Sequence, residues 1–286
     1  MTVALPAKAG GVGTAVALTL GSMTLVQSGL AASTLLFDDL GPAGTTWLRL
    51  SWAAVILLAV TRPKPWAMSK KDLGGVALLG TASGLMTLLS AAAIDRLPLS
   101  AVVAVGFLGP LGIGVFRRAG RLGLLWPPIA LAGVVLVTQP WNGSVDPLGL
   151  AYAVGNAACW AAYILLTQKV ADRLPGLTGL ALSMTVAALV TAVAGAGHAV
   201  PRLDGRIVLV GLGIALLLPV LPYVMEMLAL RRMAVGAFGT LLSLEPALAL
   251  VIGTVFLSQV PHWWQVAGIG LVSLAAAGAA RGGKRT

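Results

Sequence analysis

Charge is scarce in this 286-residue chain: 10% of its residues are Asp, Glu, Lys or Arg, against about a quarter in a soluble domain. With 58% hydrophobic residues and a mean hydropathy of +0.95, that deficit excludes a water-soluble globular enzyme and a disordered chain. Cysteine is nearly absent, and the lone Cys159 excludes an internal disulfide and a multi-cysteine metal site. Histidine is limited to His198 and His262, far apart and in expected outer loops. No metal-ligand spacing and no Ser/His/Asp grouping follows from them. A phosphate-binding loop motif is also missing, which argues against ATP hydrolysis by this chain. No metal, no cofactor and no catalytic residue is therefore expected.

Acids are scarcer than bases, 9 against 19, for a net charge of +10. In a soluble protein that balance would suggest nucleic acid. Here long apolar runs dominate, and a membrane-crossing helix takes about 20 such residues. Ten candidate spans are bounded by Pro, Gly or charge: Gly13 to Thr34, Ala43 to Thr61, Leu73 to Ile94, Pro98 to Phe116, Leu122 to Thr138, Leu148 to Gln168, Leu177 to Ala196, Ile207 to Leu230, Met233 to Leu257 and Trp264 to Ala280. The tight pairs, third with fourth and eighth with ninth, are the hardest to separate. With the N-terminus inside, fifteen of the 19 bases fall on the cytoplasmic side. These are Lys8; Arg62, Lys64, Lys70 and Lys71; Arg117, Arg118 and Arg121; Lys169 and Arg173; Arg231 and Arg232; and Arg281, Lys284 and Arg285. Only Arg96, Arg202 and Arg206 fall outside, and Arg49 lies within a span. The high charge thus reads as membrane orientation with both termini cytoplasmic, and no nucleic-acid partner is expected. Trp47, Trp141, Trp263 and Trp264 mark outer ends, and Trp66 and Trp126 inner ends, as amphipathic rings favour that depth.

The chain also repeats. A shift of 136 residues lays Ala93 to Pro110 over Ala229 to Pro246, with Gly109-Pro110 on Glu245-Pro246. Spans one to five then match spans six to ten, and because five is odd the second copy starts from the opposite face. The expected fold is an all-α membrane protein of ten transmembrane helices in two inverted five-helix repeats, an architecture of secondary transporters. The expected divisions are a cytoplasmic tail over 1–12, repeats over 13–138 and 148–280, and a basic tail over 281–286.

Three charged residues remain inside spans, and each costs about 2.5 to 3.5 kcal/mol at the bilayer centre on an insertion scale. Such residues face a cavity or a partner. Glu245 precedes Pro246 in mid-span, where proline frees a carbonyl about one turn earlier; it can bind a substrate ammonium, carry a proton or cap the broken helix. Glu226 follows Pro219 and Pro222, with Tyr223 nearby; it is a second cavity wall, a proton relay with Glu245, or an ion-pair partner of Arg231 or Arg232. Arg49 can hold a carboxylate by a bidentate fork, snorkel to the headgroups, or lock a glutamate. Among uncharged groups, Gln27, Asn156, Trp160 and Tyr163 are the candidate lining residues of helices one and six, since large polar side chains need partners in an apolar setting. Ser22, Thr24 and Ser28 read rather as helix-to-helix hydrogen-bonding residues. Pro110, Pro222 and Pro246 are the expected helix breaks.

Several segments then resemble the drug/metabolite transporter superfamily of EamA type, and above all its threonine/homoserine exporter branch. They are Gln27-Ser28-Gly29, Thr46 to Leu50 (TWLRL), Leu97 to Leu111, Ala158 to Leu165 (ACWAAYIL), Pro222 to Ala229 (PYVMEMLA) and Phe238 to Ala249 (FGTLLSLEPALA). The resemblance implies export of amino acids or related small metabolites across the inner membrane, driven by proton exchange, with Arg49, Trp160, Tyr163, Glu226 and Glu245 as functional positions. Thr34 and Gly106 depart from the branch, which has a lysine and a glutamate there; Gln259 stands where it tends to have a glutamate. The cavity is expected between helices one, two, six, eight and nine. A broad drug or metabolite exporter would share this fold, and a non-transporting membrane scaffold is the remaining alternative.

Overall fold

A chain in hydrocarbon must satisfy its own backbone groups, and helices do so within one segment. The computed structural model describes residues 12–116, 125–139, 146–171, 173–174, 177–230, 232–233 and 235–281. Among these there is no strand. Lys8, Arg117, Arg118, Arg121, Trp141, Arg231, Lys284 and Arg285, which carry part of the charge and aromatic pattern, lie outside the described residues, as do most of the two expected tails.

The helices are α1 (Val12–Ser33), α2 (Phe37–Thr61), α3 (Lys70–Ile94), α4 (Leu99–Gly106), α5 (Leu108–Phe116), α6 (Trp126–Thr138), α7 (Pro147–Ala171), α8 (Thr178–Ala199), α9 (Gly205–Ala215), α10 (Leu221–Leu230), α11 (Val235–Leu242), α12 (Glu245–Leu257) and α13 (Trp263–Arg281). Six stretches are long and apolar enough to cross a membrane, the first of them running from Gly13 to Thr61. Leu99–Ile113, Trp126–Thr138 and Trp263–Ala279 are apolar but shorter.

The expected outer loop between the first two spans is helical. Thr34–Leu36 forms a short 3-10 turn, and α2 starts at once with Asp38 and Asp39 in its first turn, where the helix dipole favours acids. The chain bends instead at Gly41, whose φ of 68° glycine alone adopts freely. Three expected spans are each two helices. The fourth is interrupted at Phe107, between α4 and α5; the ninth at Ser243 and Leu244, before α12; the eighth at Leu216–Val220, a π-type turn with Leu218 off the helix. Each break lies a few residues before the proline expected to cause it. Pro110, Pro222 and Pro246 occupy the first turns of α5, α10 and α12, where a missing N–H costs nothing. Pro219 sits within the break itself.

α2 lies along α8, α3 against α7 and α8, and α6 along α13; α1 packs on α10 and α12. The largest core cluster joins α4 (Leu99, Val102, Val105), α6 (Val134, Val137), α12 (Ala249, Ile252) and α13 (Ile269, Val272). α6 and α13 cross at Gly133 and Gly268, where a Cβ on either would stand 2.6 Å from the other's carbonyl oxygen. Such backbone approach is how small residues join membrane helices. Val193, Leu209, Val255 and Phe256 point outward with more than half their surface exposed, as lipid-facing residues do. Trp66 and Trp263 are also exposed, but Trp126 turns its ring inward against Gly278.

Two joints fix the helix ends. Asp146 accepts from the backbone N–H of Leu148 and Gly149 at the start of α7, and its other oxygen takes Arg96 Nη1 at 2.6 Å. That guanidinium, followed by the Gly149 N–H, holds the Asp146 carboxyl below the usual carboxylate range. Gln259 Oε1 accepts from Leu99 N at 3.0 Å, capping α4, whose preceding residue Pro98 offers no side-chain acceptor.

Candidate functional site

The interrupted helices meet around a cavity of about 470 Å³. Its wall takes Val26 from α1, Arg49 and Leu50 from α2, Ser83, Met86 and Thr87 from α3, Phe107 from the first break, and Pro110 and Leu111 from α5. Opposite stand Trp160, Tyr163 and Ile164 of α7, Met184 of α8, Leu218, Pro219, Pro222, Tyr223 and Glu226 around α10, and Gly239, Leu242 and Glu245 beside the third break. Ala276 and Ala279 of α13 close it. Of the residues singled out from sequence, Glu245, Glu226, Arg49, Tyr163, Trp160, Tyr223, Pro110 and Pro222 are brought together here.

Gln27 and Asn156 are not on this wall. Gln27 is 1% exposed on α1, and successive helical residues point about 100° apart, so Val26 takes the lining position. Asn156 is buried, with its Nδ2 2.9 Å from where a Cβ on Gly106 would be. Pro246 is buried behind Glu245.

Arg49 is 3% exposed, and among the described residues its Nε and Nη1 have no hydrogen-bond partner. Such burial removes it from the headgroups, so it does not snorkel. Among the described residues no carboxylate lies within salt-bridge distance, so it locks no glutamate. A buried guanidinium of this kind is costly unless an anion meets it. Glu226 Oε1 accepts from Ser22 Oγ at 2.8 Å, which ties α10 to α1. The expected alternative pairing with Arg232 is not formed: Arg232 Nη1 donates to Leu228 O at 2.9 Å, and Arg231 lies outside the described residues. Glu245 opens α12, where the positive helix end favours a carboxylate, but it does not cap the break: no side chain caps α12. Phe107 and Trp160 meet edge to face, 5.2 Å between centroids, an arrangement worth about 1 kcal/mol beyond the area it buries.

The α3 wall was not anticipated. Thr87 Oγ1 donates to Ser83 O at 2.6 Å, so its lone pairs remain for the cavity. The signal was present: Ser83, Met86 and Thr87 lie 136 residues before Pro219, Pro222 and Tyr223, which line the same cavity.

Apolar helices that break beside a shared cavity, with the mid-span charges Arg49, Glu226 and Glu245 on its wall, define a multi-pass membrane transporter. The profile of the EamA-like transporter family matches residues 147–281. The threonine/homoserine exporter RhtA of Salmonella typhimurium (strain LT2) is 35% identical over 241 residues, 83% of this chain and 81% of that protein. RhtA of Escherichia coli (strain K12) is 34% identical over 260 residues, 90% of this chain and 88% of its own. A protein known from a crystal structure superposes with a TM-score of 0.62 at 18% identity, over 93% of this chain and 96% of that one, a likeness of fold. The chain belongs to the EamA-like transporter family. It is a transporter and not an enzyme.

Proposed function

We propose that this protein is a secondary active transporter that exports small amino acids of the threonine and homoserine kind, or related metabolites, across the inner membrane in exchange for protons. The substrate class follows that of the RhtA relatives, which are threonine/homoserine exporters. The observation that carries it to this site is the Arg49 guanidinium, buried with Nε and Nη1 unpartnered among the described residues, on a cavity that also holds two carboxylates. Arg49 takes the substrate carboxylate as a bidentate fork. Glu245 takes the ammonium or, in the return step, a proton, and Glu226 relays to it. Tyr163, Trp160 and Tyr223 shape the space between, and Gln27 and Asn156 support the wall from behind. The breaks near Pro110, Pro222 and Pro246 let the wall move.

The frame is ten spans in two inverted repeats, over 13–138 and 148–280, with both termini cytoplasmic. Support comes from register: both bounds of α11 lie 136 residues after those of α4, and the breaks at Phe107 and Ser243 keep the same interval. α2 with α8, and α6 with α13, are counterparts packed on one another, as a two-fold relation requires. Rocking about that relation would expose the cavity to each side in turn.

Counterflow of radiolabelled threonine and homoserine in proteoliposomes tests the reading, with Glu245→Gln as the control. Uptake should follow an imposed proton gradient and fall at least tenfold in the variant. Unchanged flux would make Glu245 structural. A second reading, a broad drug or metabolite exporter, is favoured by the mostly apolar lining and by a volume that falls within the range for drug-sized ligands. Resistance of overexpressing cells to amphiphilic drugs, without amino-acid efflux, would select it.

A further inference from the structure

A second recess lies apart from the cavity, where the start of α3 meets the end of α7. It is a groove of about 610 Å³. Its floor is open at Gly74, where an added Cβ would meet nothing within 4 Å. Lys71, Lys169 and Arg173 line it alongside one acid, Asp72. Arg173 Nη1 is engaged by Asp72 Oδ1 at 3.3 Å. Lys71 and Lys169 are exposed and, among the described residues, have no carboxylate within salt-bridge distance. The remaining wall is hydrocarbon, including Leu166 and the 61% exposed Leu78.

These two surfaces side by side select a two-part ligand. A soluble anion would use only the lysines, and a neutral lipid only the leucines. We propose that the groove binds an anionic phospholipid of the bilayer, with its phosphate between Lys71 and Lys169 and an acyl chain along Leu78 and Leu166. Basic recesses between membrane helices hold anionic headgroups by this complementarity. α3 and α7 belong to different halves of the chain, so the lipid clasps one half to the other beside the Asp72–Arg173 pair. In the topology proposed above the groove faces the cytoplasmic leaflet. The cavity residues take no part, so failure of the exporter reading would leave this inference standing.

The full chain, purified in detergent and mixed with equal phosphatidylglycerol and phosphatidylcholine, can be read by native mass spectrometry. The unmodified protein should retain phosphatidylglycerol at collision energies that strip phosphatidylcholine. Lys71→Gln with Lys169→Gln should reduce the retained adduct at least fivefold. Gly74→Leu, which fills the groove without altering charge, should do the same. Arg62→Gln with Lys64→Gln removes two bases that precede α3 in the sequence and do not line the groove, and should leave retention intact. Equal retention in the lysine variant overturns the proposal. So does an equal loss in the Arg62/Lys64 control, which would reduce the effect to a general basic belt.

Discussion

Arg49 is charged in apolar surroundings, and among the described residues its Nε and Nη1 have no hydrogen-bond partner. Arg49→Gln keeps hydrogen-bonding capacity and removes the charge, so it separates anion binding from packing. Substrate flux should fall more than tenfold in the variant while the protein still folds, as checked by counterflow and by melting temperature. Arg49→Lys should restore little, because an ammonium cannot reproduce the planar fork. Ser22 Oγ donates to Glu226, and Ser22→Ala should cost about 1 kcal/mol, read as a lowered melting temperature. Arg49, Glu226 and Glu245 were legible in the sequence because charge inside an apolar run is conspicuous. Ser83 and Met86 were not legible from periodicity, because beyond its charged first turn α3 has no stripe to mark the face it turns to the cavity, and only the 136-residue interval pointed to them.

At the scale of elements, prolines announced that spans would break, though not where. A ring at the start of a new helix displaces the discontinuity into the preceding residues, as at Phe107 and at Ser243. The Gly133–Gly268 crossing makes a sharper claim. A leucine at 133 meets backbone, which no rotamer can relieve, so Gly133→Leu should destabilise by about 3 kcal/mol, seen as poor yield and a lower melting temperature. The start of α7 carries one acid-sensitive contact. Asp146 has its carboxyl lowered by Arg96, so its contribution is full above the unfolded value of about 4 and fades as pH falls through the lower folded value. Asp146→Asn should remove that part of the acid sensitivity, measured by thermal unfolding between about pH 6 and pH 3.

For the whole molecule, apolar length alone reported a membrane protein, and the interval of 136 residues is the sequence signal behind the proposed two-repeat frame. What periodicity could not supply was facing: Val26 rather than Gln27 reaches the cavity, and one residue along a helix decides it. The unsatisfied guanidinium has a practical consequence for this assembly. A cargo whose carboxylate meets Arg49 relieves a cost the empty protein carries, and a ligand at a hundred times its dissociation constant adds about 2.7 kcal/mol to stability. Heating the purified protein against a panel of metabolites would therefore rank candidate cargoes by melting shift, in a cuvette and with no vesicle, gradient or radiolabel.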